Sequence, residues 1–511
     1  MNLAILLERA ADRDPYAPAI VGTRPRTWGE LRERVGRLAG GLVRRGVGRG
    51  DRVAVLGGNC AEYLEIYLAL AWLGALVVPL NTRLSAHELR FHIDDAGVRL
   101  WLVADSLGAL ADATAPELAR VSFGDGAAST AASYDELLTA APAVEPLDVP
   151  PAAPLGIFYT GGTTGRPKGV ILTHGNLAAN SRHVVPAMGF AASDVFLHAA
   201  PMFHLADLGY LWALMSVGGT HAFLAPYTPE GFLEAVERLR VTSSLLAPSM
   251  VGTLVRSPDL GARDLRSWSW LAYGGSPITE ETLRRALGAL PCRLYQGYGQ
   301  TEATHTVCLL APEAHAEALT RPALLASCGR PIPGIEVRIS MEDGRPARPG
   351  VPGELLVRGP TVMAGYWERP VETAETLADG WLHTGDVATT DADGFVYVLD
   401  RKKDVIVSGG ENIFSAEVES VLARHGAVLE VAVIAVPDDV WGERVHAVVV
   451  LAPGRAATAE ELQGHCRQTL GGYKLPRSFE FVESLPRTPT GKIVKSALRE
   501  PHWAGRSRAV H

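Results

Sequence analysis

Lysine is nearly missing from this chain of 511 residues. Only Lys168, Lys402, Lys403, Lys474, Lys492 and Lys495 carry an ammonium, and all the rest of the 48 cationic side chains are arginine. A GC-rich coding sequence favours Arg, Ala and Gly over Lys, Ser and Asn, so the bias itself carries little physics. It does mark the places where lysine persists, the first of them inside a Gly/Thr-rich stretch. Positive charge is short overall: the net charge is -8, which excludes the broad basic face that nucleic acid or an anionic membrane would require. Cysteine is scarce and odd in number, at 60, 292, 308, 328 and 466, with no CxxC and no His/Cys spacing. That pattern fits neither a disulfide framework nor a zinc site, and it suits a reducing cytosol, so a cytoplasmic location is expected. Long apolar runs are absent as well. The most apolar one, IYLALAWLGALVVPL from Ile66 to Leu80, is shorter than the ~20 residues of a spanning helix and reads as a buried helix ending in a short strand. The opening MNLAILLERAADRDP has no basic n-region and carries acids early, so no signal peptide is expected.

What is present is an ordinary globular composition, 47% hydrophobic and 20% charged, on a chain long enough for two or three domains. Residues 27–48 place apolar side chains at helical spacing behind Thr27, a capping residue. Short β-rich runs (DRVAVLG, ALVVPL, VRLWLVA) then alternate with helical ones, which predicts α/β architecture with a largely parallel sheet. AAPAVEPLDVPPAAP (140–154), with its closely spaced prolines, reads as an extended connector. A second boundary is expected near 400, where the strand-like FVYVLD meets Arg401, Lys402, Lys403 and Asp404. The β-rich and helical pieces beyond it make up about 110 residues, a comfortable size for a separate α+β domain.

The Gly/Thr stretch, TGGTTGRPKG (160–169), lies between strand candidates GIFYT and GVILTH. A Walker P-loop needs its Lys followed by Ser or Thr at a helix start; here Lys168 follows Pro167 and precedes Gly169. Closely spaced glycines and Thr hydroxyls still suit a polyanion, and Lys adds a compact point charge. On composition alone a tight hairpin remains open. Six further stretches stand out in order: PMFH, YGGSPI, YQGYGQTEAT, GWLHTGD, DRKKDVIVSGGEN and PRTPTGKIVKSALRE. Read singly, these would be a packed histidine, turns, a solvated charge cluster and a helix start.

Together they resemble the acyl-adenylate-forming superfamily, which includes acyl-CoA synthetases, adenylation domains of peptide synthetases and luciferases. The similarity runs from about residue 25 to 500 and is nearest to the fatty and aryl acid–CoA ligases. It implies a large multi-subdomain N-terminal α/β domain (1–399) with mostly parallel sheets, a hinge (400–403) at Lys403, and a small mobile α+β lid (404–511). In the resemblance Thr160, Gly161, Gly162, Thr163, Thr164, Gly165 and Lys168 hold the ATP phosphates. His204 lies beside the acyl carboxylate. Gly274 and Gly275 lie against adenine, although Tyr273 and Ser276 depart from the usual residues of that loop. Tyr298 flanks adenine, Thr301 contacts the α-phosphate and Glu302 holds Mg²⁺. Asp386 accepts from the ribose hydroxyls, Arg401 binds the ribose and phosphate side, Gly409 and Gly410 approach the thiol tunnel, and Lys492 is the catalytic lysine of the lid.

The implied substrates are a carboxylic acid, ATP and CoA, with an acyl carrier protein as an alternative acceptor. Neither nucleic acid nor a transmembrane segment is expected. Two other readings compete: an amino-acid-activating domain, for which Asp207 sits outside the expected pattern, and a non-catalytic nucleotide-binding protein of the same fold. The retention of Lys168, Glu302, Asp386, Arg401 and Lys492 together argues against the latter. For the acyl pocket the candidates are Gln296, Gly297, Gly274 and the segment Ala206–Trp212. Leu205, Leu208 and Leu211 are expected as an apolar lining, favouring an aliphatic or aromatic acid over a dicarboxylate.

Overall fold

The structure, a computed structural model, describes residues 3–124, 132–160, 167–487 and 493–504. Its described residues fall into two compact units, one within Met1–Thr160, Pro167–Val337 and Val357–Leu382, the other within Arg338–Leu356 and His383–His511. The architecture is mixed α/β with a smaller C-terminal part. The sequence divides the chain at 399/400, whereas compactness groups residues 338–356 and 383–399 with the C-terminal residues.

In the larger unit an eight-stranded sheet runs, edge to edge, Gly365–Tyr366, Lys168–Thr173, Pro154–Thr160, Leu76–Leu80, Arg52–Leu56, Leu100–Ala104, Arg120–Phe123 and Ala132–Ser133. Its neighbours are parallel from Pro154–Thr160 onward. The apolar run resolves as expected: helix Ala61–Leu73 is buried on every side and leads into the fully buried strand Leu76–Leu80. A strand covered on both faces has no reason to alternate polar residues. Thr27 caps helix Trp28–Arg44 in a capping box with Glu30, satisfying two N-terminal N–H groups. The proline-rich connector lies extended against this unit, where Val144 O accepts from Trp72 Nε1 at 2.7 Å and Val144 N–H donates to Gly36 O at 3.1 Å.

The second sheet of this unit has nine strands, in the order Arg330–Pro331, Cys308–Leu310, Arg293–Tyr298, Trp270–Gly274, Ser243–Leu246, Val195–His198, Thr220–Phe223, Pro18–Ile20 and Arg26–Thr27. From Arg293–Tyr298 to Pro18–Ile20 every pairing is parallel, so the carboxyl ends of these strands share one edge.

In the smaller unit strands Val428–Asp438 and Gly442–Leu451 form a long hairpin. Ile406–Ser408 with Glu411–Ile413 extends the sheet on one side, and Ser478–Phe481 pairs parallel to Gly442–Leu451. Among the described residues no helix is long and apolar enough to cross a membrane.

Candidate active site

Strands Pro154–Thr160 and Lys168–Thr173 are antiparallel, with Thr160 opposite Lys168. The Gly/Thr stretch therefore joins two strands rather than a strand and a helix, as its proline predicts, and a Walker arrangement is excluded. Gly161, Gly162, Thr163, Thr164 and Gly165 lie outside the described residues. Lys168 opens the second strand, and on that strand's other side Tyr366 pairs with Val170. The pairing sets the Lys168 ammonium 4.9 Å from the centre of the Tyr366 ring. The Tyr366 hydroxyl donates to Glu302 Oε1 at 3.0 Å, and Met363 N–H donates to Glu302 O at 2.8 Å. One tyrosine thus carries the loop lysine on its face and the acid of YGQTE on its hydroxyl. Burial, then the Glu302 charge, pushes the phenol far up, so it stays a neutral donor across the physiological range.

Glu302 sits in the single turn Thr301–Ala303, directly after strand Arg293–Tyr298, whose last residue is Tyr298. Gly274 ends the neighbouring parallel strand and Gly275 follows it. A Cβ on Gly274 would stand 2.3 Å from Gly297 O, so only glycine allows the two strands to approach there. His204, the N-cap of helix Leu205–Val217, follows the end of Val195–His198, and its ring packs on Phe203 at 4.5 Å. Gly274, Gly275, Tyr298, Thr301, Glu302 and His204 accordingly come from the carboxyl ends of parallel strands in one sheet, the edge at which open α/β sheets bind ligands.

Sequence reading missed Tyr366 and also His305. The His305 backbone has φ +97, and its ring meets Tyr210 edge-on at 4.4 Å. Gly209 lies directly against the ring, where a Cβ would come within 2.7 Å. Burial pushes this imidazole down to about 4, so it is neutral at pH 7. The QTEATH run carries His305 in plain view, but nothing in its spacing says that the ring turns back toward the helix.

The leucine lining does not hold. Helix Leu205–Val217 is almost wholly buried, and its stripe Leu205, Leu208, Leu211, Trp212 and Met215 packs into the main core with Leu3 and Trp28. The side facing His305 presents Gly209 and Tyr210 instead. Asp207 is also structural. Fully buried, its Oδ2 lies 2.6 Å from His198 Nδ1 and accepts from it, while His198 Nε2 lies 2.9 Å from His221 Nδ1. The Asp207 carboxylate is thus committed inside the protein and unavailable to a substrate ammonium. Replacing it with the neutral isostere, Asp207→Asn, is expected to cost about 1.5–3 kcal/mol, the worth of a hydrogen bond to a charged group, read as a lower denaturation midpoint. Likewise Tyr273 is held in the core by His315 Nε2 at 2.9 Å.

In the smaller unit Asp386 is buried and opposite Arg401 across a strand pair, with Arg401 Nε 2.6 Å from Asp386 Oδ1. Lys403 lies in the adjoining turn Lys402–Asp404; burial first, then Arg401, Arg499 and Lys495, pushes its ammonium down to about 8 against the pull of Asp404. Gly409 and Gly410, at φ +61 and +85, form the two-residue turn between Ile406–Ser408 and Glu411–Ile413. A two-residue hairpin with both φ positive wants glycine, and a Cβ on Gly409 would also strike the Trp441 ring at 2.6 Å. Lys492 lies outside the described residues. Its flanks, Arg487 and Ile493, form an antiparallel bridge.

Comparison with known proteins adds to this geometry. The AMP-binding enzyme family matches residues 7–367, and the AMP-binding enzyme C-terminal domain matches residues 417–492. A feruloyl-CoA synthase of an Amycolatopsis species is 42% identical over 503 residues, covering 96% of this chain and 97% of that protein. A fatty acid–[acyl-carrier-protein] ligase of Streptomyces coeruleorubidus is 36% identical over 509 residues, covering 98% and 96%. Among solved structures, o-succinylbenzoate CoA synthetase from Bacillus subtilis, in complex with its acyl-adenylate intermediate, superposes with a TM-score of 0.86 at 32% identity, covering 96% and 97%.

Proposed function

From a chain that belongs to the AMP-binding enzyme family, we propose ATP-dependent activation of an apolar carboxylic acid, fatty or aryl, to acyl-AMP, followed by transfer of the acyl group to CoA. The class, an AMP-forming acid–thiol ligase, is that of its relatives. The observation that carries the proposal is the Lys168–Tyr366–Glu302 arrangement in the larger unit, which holds a phosphate-directed cation and a carboxylate on one tyrosine.

A carboxylate resists nucleophiles because of its own charge. In the first step its oxygen attacks the α-phosphorus of ATP, the P–O bond to pyrophosphate breaks, and acyl-AMP forms. No proton has to be removed from the attacking group, so catalysis is positioning and charge neutralisation. In this reading Lys168 follows the leaving pyrophosphate, Thr301 and Lys492 address the α-phosphate, Tyr298 and Gly274–Gly275 take adenine, and Asp386 and Arg401 take the ribose side. Glu302 Oε2 has no hydrogen-bond partner among the described residues, which fits the hard anionic oxygen that Mg²⁺ prefers; the ion, when bound, supplies charge neutralisation. In the second step the thiol attacks the acyl carbon, AMP leaves, and the thiol proton goes to solvent. The smaller unit is proposed to swing at Lys403 between steps, withdrawing Lys492 and bringing Gly409–Gly410 forward.

The apolar preference is supported by the wall of Tyr210, Gly209, Gly297 and neutral His305, which offers no cation to a second carboxylate. An acyl carrier protein as acceptor is the second reading, favoured by the carrier-protein ligase relative. A panel of acids from acetate to long-chain and aryl acids, with ATP, Mg²⁺ and either CoA or a carrier protein, tests both by pyrophosphate release and product mass. Acyl-CoA with an apolar class bears the proposal out; acyl-AMP that loads only a carrier transfers it to the second reading, and no pyrophosphate with any acid overturns it.

Tyr366→Phe is expected to slow pyrophosphate release about 10- to 100-fold, because a hydrogen bond to a charged group is worth about 1.5–3 kcal/mol. The ring under Lys168 is retained, so nucleotide binding should change far less. An unchanged rate would remove Tyr366 from the site.

A further inference from the structure

We propose that His446, Glu480 and His502 form a binding site for a divalent transition ion of the zinc class, distinct from the adenylation chemistry. Three separate elements of the smaller unit supply the ligands. Strands Gly442–Leu451 and Ser478–Phe481 run parallel with His446 opposite Ser478 and Val448 opposite Glu480. Since residues two apart on a strand share a face, His446 and Glu480 point to the same side. Helix Lys495–Trp503 brings His502 over them. It is fixed at one end by Lys495 to Glu419 at 2.7 Å and at the other by Trp503 Nε1 donating to Ala435 O at 3.0 Å.

The ligand atoms of the three side chains all lie within 4.8 Å of one another, with His446 Nε2 3.7 Å from Glu480 Oε2. A tetrahedral site with bonds of about 2.1 Å has ligand–ligand edges of about 3.4 Å, so small rotamer changes close the gap. His446 is only 5% exposed, and its Nε2 is buried without a hydrogen-bond partner among the described residues. Its other nitrogen, Nδ1, lies 2.8 Å from Ser478 Oγ. Donating Nδ1–H there holds the ring and leaves the Nε2 lone pair facing Glu480 and His502, the arrangement by which outer hydrogen bonds orient a metal-binding imidazole. An orphaned buried acceptor is costly, and an ion would satisfy it. Two imidazole nitrogens and one carboxylate oxygen suit Zn²⁺, with water completing the shell, whereas Mg²⁺ and Ca²⁺ select all-oxygen sets. The ion would tie the C-terminal helix, which begins just past the segment carrying Lys492, to strands Gly442–Leu451 and Ser478–Phe481 of its unit.

The test uses the full chain, stripped with a chelator and dialysed. Zn²⁺ alone is titrated by calorimetry, and Co²⁺ alone by its visible absorption, in the wild type, His502→Gln and Glu480→Gln. The expected result is saturable uptake of one ion with a tetrahedral Co²⁺ band in the wild type. In either variant, affinity should fall by at least about tenfold and the band should vanish. Zinc should raise the melting temperature of the wild type only, while the metal-free melts of all three coincide, showing that the variants fold. No uptake by the wild type, or equal uptake by His502→Gln through any other histidines, overturns the proposal.

Discussion

Lys492→Ala is expected to lower pyrophosphate release from ATP and acid by about 10²- to 10³-fold, the cost of losing one charge-stabilising group aimed at the transition state, while thioester formation from supplied acyl-AMP stays near the wild-type rate. The split follows from where charge sits. In the first step an anionic carboxylate must approach an anionic phosphate, and a cation between them removes the repulsion. In the second a neutral acyl carbon meets a thiol, and that cation has no comparable work. Lys492→Arg sharpens the test, because a planar guanidinium cannot replace a mobile point charge lodged between two oxygens; it should fail nearly as badly. The remaining lysines bear on this reading. Lys402, Lys474 and Lys495 are engaged with Glu354, Glu417 and Glu419 at 3.3, 2.7 and 2.7 Å, so in a chain of arginines three lysines make local ion pairs within the smaller unit. Lys168 lies on the Tyr366 ring, and Lys403 lies within the turn Lys402–Asp404 after Arg401. If stopped-flow measurement showed both half-reactions falling equally, Lys492 would not be confined to the first.

Local pattern made much of this molecule legible. The cap at Thr27, the helix-to-strand passage through 66–80 and the strands flanking the Gly/Thr stretch are dictated by neighbouring residues, and all appear in the structure. The motif residues at the parallel strand ends were legible through resemblance, since no single stretch carries its chemistry alone. Tyr366 was not legible: it reaches Lys168 and Glu302 only because Gly365–Tyr366 becomes the edge strand beside Lys168–Thr173, a pairing across long sequence separation. The leucines of 205–211 misled for a related reason. A helix apolar on every side has no periodicity to tell core from pocket, and here the core took the leucine stripe. Asp207, already outside the expected pattern for an amino-acid-activating domain, lies on the same helix and is held by His198, which contacts His221 in turn.

The larger unit is expected to lose stability steeply as pH falls from 6.5 toward 4. His92, His174 and His305 are each pushed down to about 4 by burial, and burial holds His221 well below its ordinary range. In the unfolded chain these imidazoles take up protons near pH 6.5, whereas the folded protein refuses them at His92, His174 and His305 until about 4. Between those values the unfolded state binds more protons, so stability rises with pH through this window and is fully present above 6.5. Each imidazole contributes about 1.4 kcal/mol per pH unit; the three with values near 4 together give roughly 4 kcal/mol per unit, a slope that would unfold most proteins before pH 4. Urea midpoints measured from pH 7.5 to 4.5 read it directly. His92→Phe isolates one contribution. The ring stacks on Tyr159 at 4.2 Å and its Nε2 is buried without a partner among the described residues, so phenylalanine keeps the stack and removes both the orphaned nitrogen and the proton site. At pH 7.5 the variant should be at least as stable as the wild type, and below pH 6.5 its slope should be shallower by about one proton. A wild-type midpoint flat across the window would mean that these histidines reach solvent and protonate without unfolding.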